Sequence, residues 1–457
     1  MDIPSILDLA RTPAGHLLFR PWFDRVALAA LTRWVFPASR LWASAEAAEY
    51  RLEGLLAANP ALRRARIGSD ILLRALAEAQ RMRARAIAAE RRCDDLLFGG
   101  VSTDEATLAG AEAARRRAGQ NFAATRLRFI YPARRADIAA VDFAIPNEDE
   151  LVARLGRFRD RPSQAFLPPP DAPKIEQSAH FTGKWGVQSV LRFAAPSADI
   201  GDAAYARVYA PRDAIDPPTL IHCHGVAVES DSIDLAMDEI MPLVTQGVRV
   251  VRPIAPWHGR RRQFGTWSGE PFFRRAPLSA FTLLCGLVQE LAMLIGWSRG
   301  TSGGLVGVSG VSLGALTAQL SAVHLAAAPA AMRPDALFLV ATSDRLDRVA
   351  LEGTLTRALG LDRALREAGW TDARLEPWRP FSDPLGPPCM PPERIVMLLG
   401  TEDDVTPYDG GTALAERWRV PKANRFHRRQ GHFSVSLGLL PDAAPLRRAA
   451  AILGGRG

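Results

Sequence analysis

Two rhythms of apolar and polar positions divide the chain. From Ser69 to Phe98 it runs without glycine or proline, and Ile71, Leu72, Ala75, Leu76 and Ala79 recur at the spacing that lines one face of a helix. Ser102, with Glu105 three residues on, has the form of a capping box and opens a second, alanine-rich helix toward Ala118. Alanine faces are narrow, so these helices are expected to pack on each other or on the main domain. Arg115, Arg116 and Arg117 sit near the end of that helix, where its dipole favours cations. Arg161–Pro173 then holds Pro162, Pro168, Pro169, Pro170 and Pro173 and predicts a stiff, extended connector. The expected division is an N-terminal helical region with its Pro-rich linker over 1–173 and a second domain over 174–457.

Beyond the connector the period shortens. Val187–Ala194 and Ala204–Ala210 read as strands ending in turns. Short apolar runs follow at Thr219–Cys223, Val248–Ile254, Leu305–Val308, Ala336–Ala341 and Ile395–Leu399, several apolar throughout, as in strands buried on both faces. Helical stretches such as Ala280–Trp297 and Leu313–Ala328 lie between them. This alternation predicts an α/β fold, a mostly parallel sheet flanked by helices with its site beyond the strands' carboxyl ends. Arg345–Pro392 is too long for a bare loop and reads as a helical lid or cap insertion over 345–392, with Trp370 and Trp378 placed either in an acyl pocket or in simple packing.

Composition narrows the class. The 457 residues are 48% hydrophobic and 23% charged, which excludes a largely disordered chain. Cys93, Cys223, Cys285 and Cys389 are scattered with no CxxC pair, which argues against a disulfide scaffold and a cysteine zinc site. The net charge is +8, and lysine occurs only at 174, 184 and 422. Residues 1–170 hold 26 arginines against 20 acids, interspersed with alanine and without aromatic interleaving. That pattern reads as solvated helix faces, so no nucleic-acid partner is expected. Peripheral membrane or partner contact through the N-terminal helices stays open. No run of eighteen uncharged apolar residues predicts a membrane span. Pro21–Ala45 is broken by Asp24, Arg25, Arg33, Pro37 and Arg40, and reads as a buried or interfacial helix rather than a signal peptide. A cytoplasmic location is the expectation.

The sharpest chemical signal is Gly310–Val311–Ser312–Leu313–Gly314, set between an apolar strand and a helix. A serine hydroxyl becomes a nucleophile when a base takes its proton and a sharp turn presents its oxygen. Ser309 lacks the flanking glycines. An elbow of this kind predicts a downstream acid and then a histidine. The strand Ile395–Leu399 ends in Gly400–Thr401–Glu402–Asp403–Asp404, where both aspartates qualify and spacing from Gly400 favours Asp403. The other is expected to cap the turn. Of the two later histidines, His427 lies inside an expected strand, Asn424–Arg428, while His432 follows it in a loop. The Leu313 N–H is one expected oxyanion donor. Val226, after His222–Cys223–His224–Gly225, is the candidate for the second. His222 and His224 resemble a metal pair, but no further ligands stand at suitable spacing, and neither metal nor cofactor is expected. Arg260–Arg262 either clamp a substrate anion or form a basic surface loop anchored by Glu270 or other acids.

Taken together, His224–Gly225, the elbow, Asp403, Gly431–His432 and the pair Pro256–Trp257–His258–Gly259–Arg260 with Ser268–Gly269–Glu270 resemble the α/β-hydrolase superfamily. The likeness is strongest to its dienelactone-hydrolase-like and esterase-like branches. It runs from about Ala204 to the end of the sequence, and residues 1–170 resemble no family. Val226–Ala227 departs from the further glycines of many members. The resemblance implies the α/β-hydrolase fold and hydrolysis of a carboxylic ester or related acyl bond through a serine acyl-enzyme on Ser312, without a cofactor. His432 would move the proton and Asp403 would hold the imidazole. Two alternatives remain: an acyltransferase on the same scaffold, and a non-catalytic adaptor with a vestigial hydrolase domain.

Overall fold

The computed structural model describes residues 15, 19–100, 103–228 and 239–455. Its N-terminal part is helical. Helix α1 (Pro21–Ala30) starts on a proline whose missing N–H costs nothing at a first turn, and a five-residue π-turn, Leu31–Val35, joins it to α2 (Phe36–Ala47). The long helix α3 spans Ser69–Phe98, as its apolar spacing predicts. Helix α4 (Glu105–Ala124) runs six residues beyond the expected end. Its cap is Asp104, whose side chain accepts from the Thr107 N–H at 2.9 Å; Ser102, the expected cap, lies outside the described residues. Leu41, Trp42, Leu72, Leu76, Phe122 and Phe129 form a core among these helices.

Ten strands among the described residues make one sheet. Two short strands, β1 (Glu176–Gln177) and β2 (Phe181–Gly183), pair antiparallel with β3 (Gly186–Ala194). The remainder are β4 (Ala203–Ala210), β5 (Thr219–Cys223), β6 (Arg249–Pro253), β7 (Val306–Val311), β8 (Ala336–Val340), β9 (Ile395–Gly400) and β10 (Arg425–Arg428). The order from β3 is β3-β4-β6-β5-β7-β8-β9-β10, antiparallel across β3, β4 and β6 and parallel from there on. Every residue of β5, β6, β8 and β9 is buried, because helices cover both faces. On one face Ile221, Val251, Val308 and Leu339 pack against α5 (Leu278–Thr301) and α6 (Leu313–His324). On the other, Leu220, Val250, Phe338 and Leu398 pack against the helix Ala444–Leu453. Helix α5 is the one helix among the described residues long and apolar enough to cross a membrane, and it is mostly buried within the protein.

The proline-rich stretch differs from expectation in its first part only. Pro162–Phe166 is a 3-10 turn, not an extended strap. Pro162 sits at its first position, where a fixed φ is an advantage. The Phe166 ring stacks on His324 at the end of α6, 3.8 Å between centroids and 4° between planes. Ala140, Val141, Leu151, Leu155 and Phe166 thus belong to the same core as the sheet.

Arg260, Arg261 and Arg262 also depart from the reading of a surface loop. Their side chains are only 9%, 2% and 8% exposed. Arg260 pairs with Glu90 and Asp94, Arg262 with Glu46 and Arg261 with Glu290, so α2, α3 and α5 supply the acids that cover them. Of the expected anchors, Glu270 or other acids, it is the other acids that serve, and Glu270 meets Arg40 of α2 at 3.1 Å. Across 345–392 the chain forms four short helices and a 3-10 turn. Trp370 and Trp378 are buried there, and the Trp370 indole donates to the Pro146 carbonyl at 2.8 Å. Both are packing residues.

Candidate active site

The elbow follows β7 and starts α6. Ser312 lies between them at φ 55°, ψ −122°, a conformation a β-substituted residue adopts only when its surroundings enforce it. The flanking glycines do the enforcing. A Cβ on Gly310 would lie 2.2 Å from the Gly314 carbonyl carbon. Helix and strand therefore touch through backbone alone, and the hydroxyl stands out from the sheet's carboxyl edge.

In the parallel register Cys223 is level with Gly310, Val311 with Val340 and Gly400 with Arg428, so the loops leaving β5, β7, β9 and β10 open on one side. There the structure brings the three predicted side chains together. His432 Nε2 lies 2.8 Å from Ser312 Oγ, and its Nδ1 lies 2.9 and 3.1 Å from the two Asp403 oxygens. The Asp403 carboxylate also accepts from the Val405 and Thr406 N–H groups, both at 3.0 Å, and from the Thr406 hydroxyl at 2.9 Å. With Nδ1–H directed at a carboxylate, Nε2 is left as the acceptor of the serine proton. Burial disfavours the imidazolium, but the negative charges of Asp403, Asp24 and Asp404 outweigh it and raise His432 above the ordinary histidine value. Asp404 faces elsewhere and accepts from the Thr354 hydroxyl at 2.8 Å. His427 meets the Tyr408 hydroxyl at 2.9 Å.

The loop after β5 is held by histidines. His222, on β5, places its Nδ1 2.8 Å from Ser309 Oγ on β7. His224 accepts from the Ala255 N–H on Nε2 (3.1 Å), so its Nδ1–H donates to the Gly225 carbonyl (2.8 Å). His258 accepts from the Ala227 N–H on Nε2 (3.2 Å), and its Nδ1–H donates to the Pro256 carbonyl (2.8 Å). Both rings must be neutral to accept, and burial with the neighbouring His224 lowers His258 to about 3. In a trans peptide C=O and N–H point opposite ways. A Gly225 carbonyl turned to His224 therefore directs the Val226 N–H away from that ring. Gly225 itself adjoins the elbow: a Cβ there would lie 3.5 Å from Ser312 Cβ. Among the described residues no group of three or more His, Cys, Asp or Glu is arranged to hold a metal ion.

A cavity of about 510 Å³ opens beside Ser312 and His432. Its wall includes Val226, Val311 and Phe433 from the sheet's edge, and Phe23, Ala27, Leu31, Val35 and Phe36 from the N-terminal helices. Of residues 345–392, Leu355 contributes. The role of the N-terminal helices as a wall of this cavity is not visible in the sequence, although Pro21–Ala45 carried a hint in being apolar yet interrupted by charge. The clamping by His258 was likewise missed, its segment having drawn notice only by resemblance.

No family model and no curated protein matches the sequence. Among solved structures the chain is similar to acetyl xylan esterase 1 from Thermoanaerobacterium sp., at 18% identity and a TM-score of 0.44 over 65% of this chain and 96% of that one. It is similar to an S-formylglutathione hydrolase from Agrobacterium tumefaciens at 18% identity and a TM-score of 0.41, over 61% and 100%. A 2,6-dihydroxy-pseudo-oxynicotine hydrolase aligns over 86% of this chain and 95% of its own, at 15% identity and a TM-score of 0.40. By its own strand order, and by the nucleophile-elbow turn between β7 and α6, the chain has the α/β-hydrolase fold.

Proposed function

We propose that the protein is a serine hydrolase that cleaves a carboxylic ester or related acyl bond through an acyl-enzyme on Ser312. The observation that carries this reading is the continuous relay from Ser312 Oγ through both ring nitrogens of His432 to Asp403. As Ser312 attacks the acyl carbon, its proton passes to His432 Nε2, and Asp403 stabilises the imidazolium. The tetrahedral oxygen takes hydrogen bonds from the Leu313 N–H, at the first position of α6, and from the Val226 N–H. His432 returns the proton to the leaving alcohol, then deprotonates the water that releases the acid. No cofactor enters these steps.

The cavity suggests the substrate. Its size falls in the range of small-molecule sites, about 300–1,000 Å³. Aliphatic and aromatic side chains on α1 and the π-turn suit an apolar acyl group of medium length. A fluorophosphonate probe tests the reading: labelling of the wild type that disappears in Ser312→Ala is expected. Labelling that persists in the folded alanine variant removes Ser312 from the mechanism.

A further inference from the structure

Helix α1 touches the catalytic edge through one charge. The Asp24 carboxylate accepts from the N–H groups of Phe433 (2.6 Å), Ser434 (3.0 Å) and Gly431 (3.2 Å), and from the Ser434 hydroxyl. These donors belong to the first turn of the short helix α7 (His432–Leu437), which begins at His432 itself. Such amides lack partners within their own helix, and a side chain at the N-cap usually accepts from them. Here the N-cap residue is Gly431, which has no side chain. A residue 407 to 410 positions earlier in the chain takes over that task. The carboxylate lies flat against the turn, since a Cβ on Gly431 would stand 2.5 Å from Asp24 Cγ. One residue further back, the Gln430 side-chain amide donates to the Phe19 carbonyl at 3.0 Å.

We propose that Asp24 is a positioning residue for catalysis, fixing the backbone on both sides of His432 so that its ring meets Ser312 and Asp403 together. The proposal rests on the reading of Ser312, His432 and Asp403 as a working triad. Asp403 bonds the ring and makes no bond to the backbone that carries it, which Glu402 and Ser434 hold at Gln430 and Gly431. Asp24 fixes that backbone through charge-assisted bonds at residues 431, 433 and 434, which flank the histidine. The N-terminal helices thereby become part of the reaction centre rather than an attachment to it. The carboxylate has a second effect. The charged groups bearing on His432 are Asp403 and Asp404 from the loop after β9 and Asp24 from α1, all negative. Loss of Asp24 therefore weakens support for the imidazolium.

The test uses the full chain and a p-nitrophenyl ester, with turnover expressed per site titrated by a fluorophosphonate. In Asp24→Asn, kcat is expected to fall roughly 10–100-fold, the scale set by small misplacements of a catalytic group, with KM within about twofold. The acid limb of the kcat/KM profile should move to lower pH, because a negative charge near His432 is gone. Asp24→Glu should return the limb toward the wild-type position. An Asp24→Asn enzyme with unchanged kcat per site and an unmoved limb overturns the proposal, as does a loss confined to KM or to thermal stability. Failure of the triad reading looks different: Ser312→Ala would then keep its turnover, whatever Asp24 does.

Discussion

Gly314 and Cys223 meet through bare backbone: a Cβ on Gly314 would lie 2.1 Å from the Cys223 carbonyl oxygen. Neither partner is the end of a flexible side chain, so neither can yield cheaply. Gly314→Ala is therefore expected to cost at least about 1–3 kcal/mol, the range for overpacking, and to displace Ser312 as well. Thermal melting and fluorophosphonate labelling of this variant should both be impaired. Gly300, exposed within α5 with nothing near its Cβ position, is the control, and its alanine variant should melt slightly above the wild type. Equal melting temperatures for the two variants would mean that the contact at Gly314 relaxes freely.

The charges around His432 predict the pH dependence. Its conjugate acid is stabilised, and only the neutral ring accepts the serine proton. Activity should therefore be low in acid and rise through a pKa above the ordinary histidine value. Asp403→Asn is expected to lower kcat by roughly three to four orders of magnitude. Asp404→Asn, whose native carboxylate binds Thr354, should stay within a few-fold of wild type. A reversal of those two outcomes would reassign the acid.

Chain-length preference should follow the α1 wall. Larger side chains at Ala27 and Leu31, as in Ala27→Phe and Leu31→Trp, fill the cavity beside Ser312. Each excluded methylene forfeits about 0.8 kcal/mol, roughly a fourfold loss in kcat/KM. Across p-nitrophenyl esters of graded length, the variants should lose the longer substrates and keep the acetate. A uniform loss at every length would place the acyl group elsewhere.

Arg261 and Glu290 form the most deeply buried ion pair between a loop of the sheet's edge and α5, with side chains 2% and 1% exposed. Arg261 also donates to the Ile254 carbonyl at 2.7 Å. Arg261→Ala strands the carboxylate and is expected to destabilise by about 3–5 kcal/mol. Replacing both partners, as in Arg261→Met with Glu290→Leu, should recover much of that loss in denaturant melts. A single variant as stable as wild type would mean that water reaches Glu290.

Signals confined to a few neighbouring residues were legible in the sequence. Thr219–Cys223 and Ser69–Phe98 are found at their expected bounds, because periodicity is a local property. The elbow was legible because Gly310 and Gly314 answer a steric demand within five residues. Asp403 was separable from Asp404 only through spacing, because the fold alone turns one toward His432 and the other toward Thr354. What stayed hidden depended on distant partners. Arg260–Arg262 looked like surface charge because their acids lie on α2, α3 and α5. Asp24 looked like a mere interruption of an apolar run, since its donors come some four hundred residues later.

That separation carries a cost during synthesis. At about 5–20 residues per second, translation takes roughly 20–80 s to pass from Asp24 to the amides that will receive it. Throughout that interval the apolar side of α1 and the π-turn, with Phe23, Ala27 and Leu31, lacks the sheet's edge that it faces in the folded protein. The Asp24 anchor, and with it the seating of α1 against the sheet's edge, can form only after residues 431–434 have been made.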